Sequence, residues 1–212
     1  MELNKYIDHT LLKPEASARQ IKQLCLQARE NDFAAVCINP TWVKFCHDLL
    51  KDTTIKICTV IGFPLGANTC STKVYETKDA IENGADEIDM VINIGALKEG
   101  NYDLVYNEIK EVREACQTRV LKVIIETCLL SEDEIIKACQ LALQAKADFV
   151  KTSTGFSTAG AKVSDVKLMK SVVEDKMLIK ASGGISSHEE MLALIAAGAN
   201  RIGTSRGVDL IK

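Results

Sequence analysis

No stretch of 18 apolar residues occurs in the 212-residue chain, so no membrane span is expected. The N-terminal text MELNKYIDHTLLKP has no basic segment leading into a long apolar one, and a cytoplasmic protein without a secretory signal is the expectation. Basic residues are not in excess: 26 Lys and Arg face 29 Asp and Glu. With neither zinc-finger spacing nor interleaved basic and aromatic residues, nothing supports nucleic-acid binding. The eight cysteines include no CxxC pair and sit in strand-like or helix-like text. Reduced, mostly buried thiols are therefore expected rather than disulfides or structural zinc. His9, His47 and His188 are scattered, and Asp8-His9 alone is a weak metal signal. An early GxGxxG and a P-loop are both missing. A small anionic ligand stays open, because it needs only a local site.

The apolar share is 47% and the charged share 26%, enough for a sizeable core. Eight strand-like segments stand at about 5–9, 33–38, 55–62, 86–92, 120–126, 148–152, 177–182 and 201–204. Helical text separates them. One helix is expected from Pro14 to about 30, with Ile21, Leu24, Cys25 and Ala28 as its apolar stripe. Others start at Asn39-Pro40, near 72, near 101, at a Ser131/Glu134 capping box, near 164 and at a Ser186/Glu189 capping box. Three joints repeat: ENGADEIDM at 82–90, QAKADFVKT at 144–152 and AAGANRIGT at 196–204. Such alternation implies parallel strands, and eight units can close into a compact (β/α)8 TIM barrel, one domain over 1–212. An open doubly wound sheet is the rival, without its glycine fingerprint.

In such barrels ligands sit at the C-terminal ends of strands. The polar residues expected there are Asp8, Asn39, Thr59, Asp89, Glu126, Lys151, Lys180 and the Gly203-Thr204 pair. Lys122 joins them by alternation, since Lys122, Ile124 and Glu126 are expected to share one face of the fifth strand. A neutral lysine amine attacks a carbonyl, and the iminium formed draws electrons from a neighbouring carbon–carbon bond. An ordinary lysine, pKa ~10.4, is protonated and inert near neutrality unless burial or a nearby cation intervenes. Lys151 and Lys180 end adjacent strands, so either can perturb the other, and the residues alone do not say which is the nucleophile. The plain structural alternative is a salt bridge from Lys151 to Asp89 or Glu126.

Asp89 can shuttle protons or merely orient a lysine. Asp8 can hold a lysine or a hydroxyl, or cap the chain near Thr10. Small residues in SGG (182–184) and GTSRG (203–207) expose backbone N–H groups of the kind that bind phosphate, unless they only make tight turns. Gly155 would add a wall and Arg206 a charge. Cys37 could touch substrate, with a buried spacer as the alternative. Together these residues suggest a phosphorylated carbonyl substrate handled by an amine, as in class I aldolases and transaldolase-like enzymes. Two other readings are a barrel isomerase with Glu126 as base and a non-catalytic sugar-phosphate-binding barrel.

Long ordered blocks carry a resemblance over nearly the whole chain: YIDHTLLKP (6–14), VCINP (36–40), CTVIGFPLGA (58–67), NGADEIDMVINIGALKEG (83–100), KVIIETCLL (122–130), ADFVKTSTGFSTAGA (147–161), IKASGGI (179–185) and GTSRG (203–207). The chain resembles the bacterial deoxyribose-phosphate aldolase family. That resemblance implies reversible cleavage of 2-deoxy-D-ribose 5-phosphate to D-glyceraldehyde 3-phosphate and acetaldehyde. It implies Lys151 as the Schiff-base lysine, Lys180 as its perturbing cation and Asp89 as proton shuttle. Asp8, Thr10, Cys37 and Lys122 match positions that line or support the site. Thr154, Gly155, Gly183, Gly184, Gly203, Thr204 and Ser205 match segments around the phosphate. Arg206 departs from the small residue implied there, and either adds charge to the phosphate or turns to solvent. The resemblance also implies no metal, no organic cofactor and a homo-oligomer, dimer or tetramer. Lys180→Leu is expected to abolish most turnover while leaving the fold largely intact.

Overall fold

A computed structural model describes residues 2–212, and its eight strands close into one barrel in chain order. They are β1 (Ile7–Leu11), β2 (Ala35–Ile38), β3 (Lys56–Ile61), β4 (Glu87–Val91), β5 (Val120–Ile124), β6 (Phe149–Lys151), β7 (Leu178–Ser182) and β8 (Arg201–Thr204). Every neighbouring pair is parallel, including β8 with β1. The helices are α1 (Ala18–Glu30), α2 (Val43–Leu50), α3 (Cys70–Glu82), α4 (Ile94–Lys98), α5 (Tyr102–Cys116), α6 (Glu132–Gln144), α7 (Val163–Val173), α8 (His188–Ala196) and α9 (Gly207–Leu210). Among the described residues no helix is long and apolar enough to cross a membrane.

The repeated joints have a physical cause. Asp86, Asp148 and Asn200 each precede an even-numbered strand and accept a backbone N–H from the preceding odd strand. Ile57 N donates to Asp86 Oδ2 (3.0 Å), Leu121 N to Asp148 Oδ2 (2.7 Å) and Ile179 N to Asn200 Oδ1 (3.0 Å). The three backbone amides of those residues return the bond to Ile57, Leu121 and Ile179. A short acceptor at that position satisfies a strand-start donor that the ladder leaves unpaired, and so sets the register of β3, β5 and β7.

Several boundaries differ from the sequence expectation. Residues Leu3–Tyr6 form a turn of 3-10 helix, so β1 starts two residues later and Asp8 sits near its beginning, not its end. Pro14 does not open α1. Ser17 caps it in a capping box with Gln20, while Ile21, Leu24, Cys25 and Ala28 are its buried face as the spacing predicts. Asn39 leads into a 3-10 turn (Pro40–Trp42) and spends its side-chain amide on Leu12 O (3.0 Å) instead of capping. The Ser131/Glu134 box is present. The α8 cap is Ser187, one residue later than expected, because its hydroxyl accepts from Glu190 N.

The apolar layer lies between the barrel and its helices, with Val36, Ile38, Ile88, Met90, Val123, Val150 and Ile179 facing outward into it. One lysine is buried there as well. Lys73 on α3 is fully buried and donates to Gly66 O and Val91 O (2.8 Å each), while pairing with Glu108 at 2.8 Å. Glu108 in turn accepts from Asn93 N (3.1 Å), so one ion pair ties together the loops that follow β3 and β4.

Candidate active site

Alternation along each strand sends every second side chain into the barrel. On β1, Asp8 points into the lumen, and His9 points out to Gln27 (2.8 Å) and the Phe33 ring (5.2 Å). Opposite faces therefore separate the Asp8-His9 pair. Asp89 on β4 lies at the centre of the lumen, fully buried. Its Oδ1 accepts from Lys122 Nζ (2.8 Å) and Cys58 Sγ (3.0 Å), and its Oδ2 from Lys151 Nζ (2.9 Å) and Lys180 Nζ (2.7 Å). Lys180 Nζ also stands 2.5 Å from Asp8 Oδ2. Asp8 Oδ1 accepts from Arg201 through Nε (2.6 Å) and Nη2. Arg201 Nη2 reaches Glu87 Oε2 (3.1 Å), which accepts from Lys122 Nζ at 2.6 Å.

Burial opposes ionisation of Asp89, but Lys122, Lys151 and Lys180 outweigh it and hold the carboxyl well below the usual range. Asp8 is likewise held low against burial, by Arg201, Lys180 and Lys122. Burial also works against the Lys180 ammonium, yet Asp8 and Asp89 together keep it protonated well above its ordinary value. Lys122 is raised against burial by Asp89 and Glu87.

Above this network a cleft of about 500 Å³ opens at the C-terminal ends of the strands. Lys151 is the one member of the lysine trio that lines it, and Lys122 and Lys180 stay beneath its floor. Gly183, Gly184, Gly203, Thr204, Ser205 and Arg206 form one wall. Thr154 and Gly155 complete the side nearer Lys151, and Thr10 lines the cleft from β1, beside β8. Two of these positions favour glycine, one through its backbone conformation and one through the space it leaves. Gly183 has φ +83° and lies against Gly160, and a Cβ on Gly203 would fall 3.1 Å from Lys180 Cε and 2.8 Å from Ser182 Cβ. Gly203 thus makes the space through which the Lys180 stem passes. Arg206 is on the rim, half-exposed, with Nε 3.8 Å from Asp209.

Several expected residues do not line the cleft, among them Lys122 beneath its floor and Thr59, whose hydroxyl donates to Ile38 O at 2.8 Å. Asp8 and Cys37 lie in the lumen below the cleft rather than on its wall. Glu126 does not share a face with Lys122, because β5 ends at Ile124 and Glu126 adopts left-handed φ +56°. Its carboxylate accepts from Thr154 N (3.1 Å) and Thr154 Oγ1, so it fixes the β6 loop and takes no part in the lysine network. Donor atoms of Cys37, Cys58 and Asp89, and of Asp8, Cys58 and Glu87, cluster within 4.8 Å. Lysine ammonium groups already stand among these atoms: Lys122 Nζ donates to Glu87 (2.6 Å), Asp89 (2.8 Å) and Cys58 Sγ (3.4 Å), and Lys180 Nζ lies 2.5 Å from Asp8 and 2.7 Å from Asp89.

Sequence reasoning missed Glu87 and Arg201 in the network and Lys13 and Phe156 on the cleft rim. Period-two alternation was the available signal: Glu87 shares a face with Asp89, and Arg201 with Gly203.

Residues 3–212 match the model of the DeoC/LacD family aldolases. A Streptococcus suis protein described as deoxyribose-phosphate aldolase is 61% identical over 211 residues, covering 100% of this chain and 96% of that one. A Clostridium botulinum protein of the same description is 59% identical over 212 residues, covering both chains fully. Among solved structures, a tetrameric deoxyribose phosphate aldolase from Aeropyrum pernix superposes with a TM-score of 0.92 at 32% identity, covering 99% of this chain and 89% of that one.

Proposed function

We propose that this chain, which belongs to the DeoC/LacD aldolase family, reversibly cleaves 2-deoxy-D-ribose 5-phosphate to D-glyceraldehyde 3-phosphate and acetaldehyde, with residues 1–212 acting as one catalytic domain. The observation that carries the reading is the position of Lys151 Nζ: at the cleft floor, sharing Asp89 Oδ2 with a lysine that has a second carboxylate of its own.

Lys151 Nζ attacks C1 of the open-chain aldehyde, and the carbinolamine loses water to leave an iminium. The C3 hydroxyl gives up its proton, the C2–C3 bond breaks, and its electron pair passes into the iminium to form an enamine. D-Glyceraldehyde 3-phosphate leaves. Protonation of the enamine at C2 and hydrolysis of the iminium then release acetaldehyde and the free lysine. Lys180, held protonated by Asp8 and Asp89, is the cation that disfavours a second positive charge on the neighbouring amine. Asp89 alone is a weak proton acceptor, because its lysines hold its carboxyl so low. Proton transfers at the carbinolamine and C3 hydroxyl therefore run through the Asp89–Lys180 pair and water as a unit. The glycine turn at 183–184 and the Gly203–Ser205 segment receive the phosphate, with Arg206 and Lys13 as rim charges.

An isomerase reading with Glu126 as base has less support, since that carboxylate is spent on Thr154. A homo-oligomer, dimer or tetramer, is part of the reading, supported by the Aeropyrum pernix tetramer. The test is reduction with borohydride in the presence of acetaldehyde or deoxyribose 5-phosphate, followed by peptide mapping. The expected adduct is on Lys151. Active protein that gives no adduct rejects the Schiff-base route.

A further inference from the structure

Six charges of the lumen, five of them buried and Arg201 partly so, form a closed loop. Asp8 meets Arg201, Arg201 meets Glu87, Glu87 meets Lys122, Lys122 meets Asp89, Asp89 meets Lys180, and Lys180 returns to Asp8. Signs alternate around it, three carboxylates against three cations, so the loop is neutral without Lys151. Lys151 Nζ hangs from it by one bond to Asp89 Oδ2, with its side chain only 3% exposed. We propose that the charge balance of this loop decides the proton on Lys151, and that Glu87 and Arg201 are positioning residues that tune the nucleophile without touching substrate.

The electrostatic reason is a matter of count. With the loop balanced, an ammonium on Lys151 is a seventh charge with no partner of its own, in a site where water screens little. The free amine is the form that leaves the lumen neutral. The groups facing Lys151 leave no other compensation. Asp89 from β4, at 2.9 Å, Cys37 from β2 and Lys180 from β7, which shares Asp89 Oδ2, are the groups beside it, while Cys58 from β3 and Lys122 from β5 reach it through Asp89, Asp8 from β1 through Lys180, and Arg201 from β8 through Asp8. Each carboxylate among them already serves two cations within the loop, and Glu126 is turned away to Thr154. Glu87 and Arg201 lie at the starts of β4 and β8 and do not line the cleft, so any effect they have on the amine passes through the loop.

The inference rests on Lys151 being the amine nucleophile, and the experiment separates the two claims. Acetaldehyde adducts on Lys151 are trapped with cyanoborohydride from about pH 5 to about pH 9 and quantified by peptide mass. Glu87→Gln leaves the loop with one surplus positive charge. Its trapping curve is expected to move to lower pH by about one pH unit, a gain of about tenfold below the midpoint. Arg201→Met leaves one surplus negative charge and is expected to move the curve by a similar amount to higher pH. The double variant Glu87→Gln/Arg201→Met restores neutrality and is expected to return the curve to that of the parent. A merely structural role predicts no such opposition of sign. If Arg201→Met does not fold, Glu87→Gln and the double variant still decide the matter. Folded variants whose curves coincide with the parent, or move in the same direction, overturn the loop's role while the nucleophile stands. No adduct on the parent chain overturns the nucleophile, and the loop's role with it.

Discussion

Lys151 and Lys180 donate to one and the same oxygen, Asp89 Oδ2, at 2.9 and 2.7 Å. Their amines can be no further apart than those two bonds laid end to end. The pair is nonetheless asymmetric: Lys180 has Asp8 at 2.5 Å as a second anion and is sealed from the cleft, whereas Lys151 lines it. The same two residue types thus receive different roles, one a permanent cation and the other a reachable amine.

Lys180→Leu removes the permanent cation. Turnover at pH 7 is expected to fall by about 10²-fold or more, since the cation proposed to tune the amine is gone. The substitution also takes one cation from two buried carboxylates, at a cost of about 3–5 kcal/mol in stability. That differs from the sequence expectation of a largely intact fold. Steady-state kinetics and urea unfolding check both parts, and a kcat within twofold of the parent would contradict the first.

Gly203→Ala adds a Cβ between the Lys180 stem and Ser182. Two close approaches, 3.1 and 2.8 Å, must be relieved by moving Lys180 or β7. The expected result is a loss of about 1–3 kcal/mol in stability together with a kcat loss larger than any change in KM. Unchanged kcat in this variant would show that the stem has room to spare.

Lys73→Met tests a lysine that lies outside the cleft. It leaves Glu108 without its partner and two carbonyls, Gly66 O and Val91 O, without their donor. Destabilisation by about 3–5 kcal/mol is expected, with kcat preserved at temperatures where the variant remains folded. Calorimetry alongside kinetics distinguishes this from a catalytic role.

The network also fixes the pH range of stability. Asp8 and Asp89 are held below the ordinary carboxyl value of 3.8, so the unfolded chain binds more protons than the folded one as the solution turns acid. Their contribution is fully present above about pH 5 and is lost as pH falls toward their folded values. Lys122 and Lys180 are raised above 10.5, so theirs is fully present below that value and is lost only as pH rises through the folded values. The contribution of these four groups to Tm is expected to be level from about pH 5 to about pH 10, and Tm is expected to drop on the acid side. Equal Tm at pH 3 and pH 7 would contradict the sign.

Eight strand–helix units were legible because each buried strand is a short apolar run, with a small turn and a short acceptor before several of them. Lys151, Lys180 and Asp89 were legible because a charge inside such a run has few bland explanations. Glu87 and Arg201 were not, since a charged residue at the start of a strand normally reads as surface. Their burial follows only from closure of the barrel, which brings β4 and β8 to opposite sides of one lumen. Glu126 misled for a related reason: period-two alternation holds only while the strand lasts, and β5 stops at Ile124.

The chain's text alone determined the alternating architecture, the family resemblance and the lysines at adjacent strand ends, because local pattern and short spacing suffice for these. Which carboxylate meets which cation was decided only by the closed barrel. Asp8 and Arg201 are 193 residues apart in the chain yet share a bond, and electrostatic roles depend on distance through space rather than along the sequence.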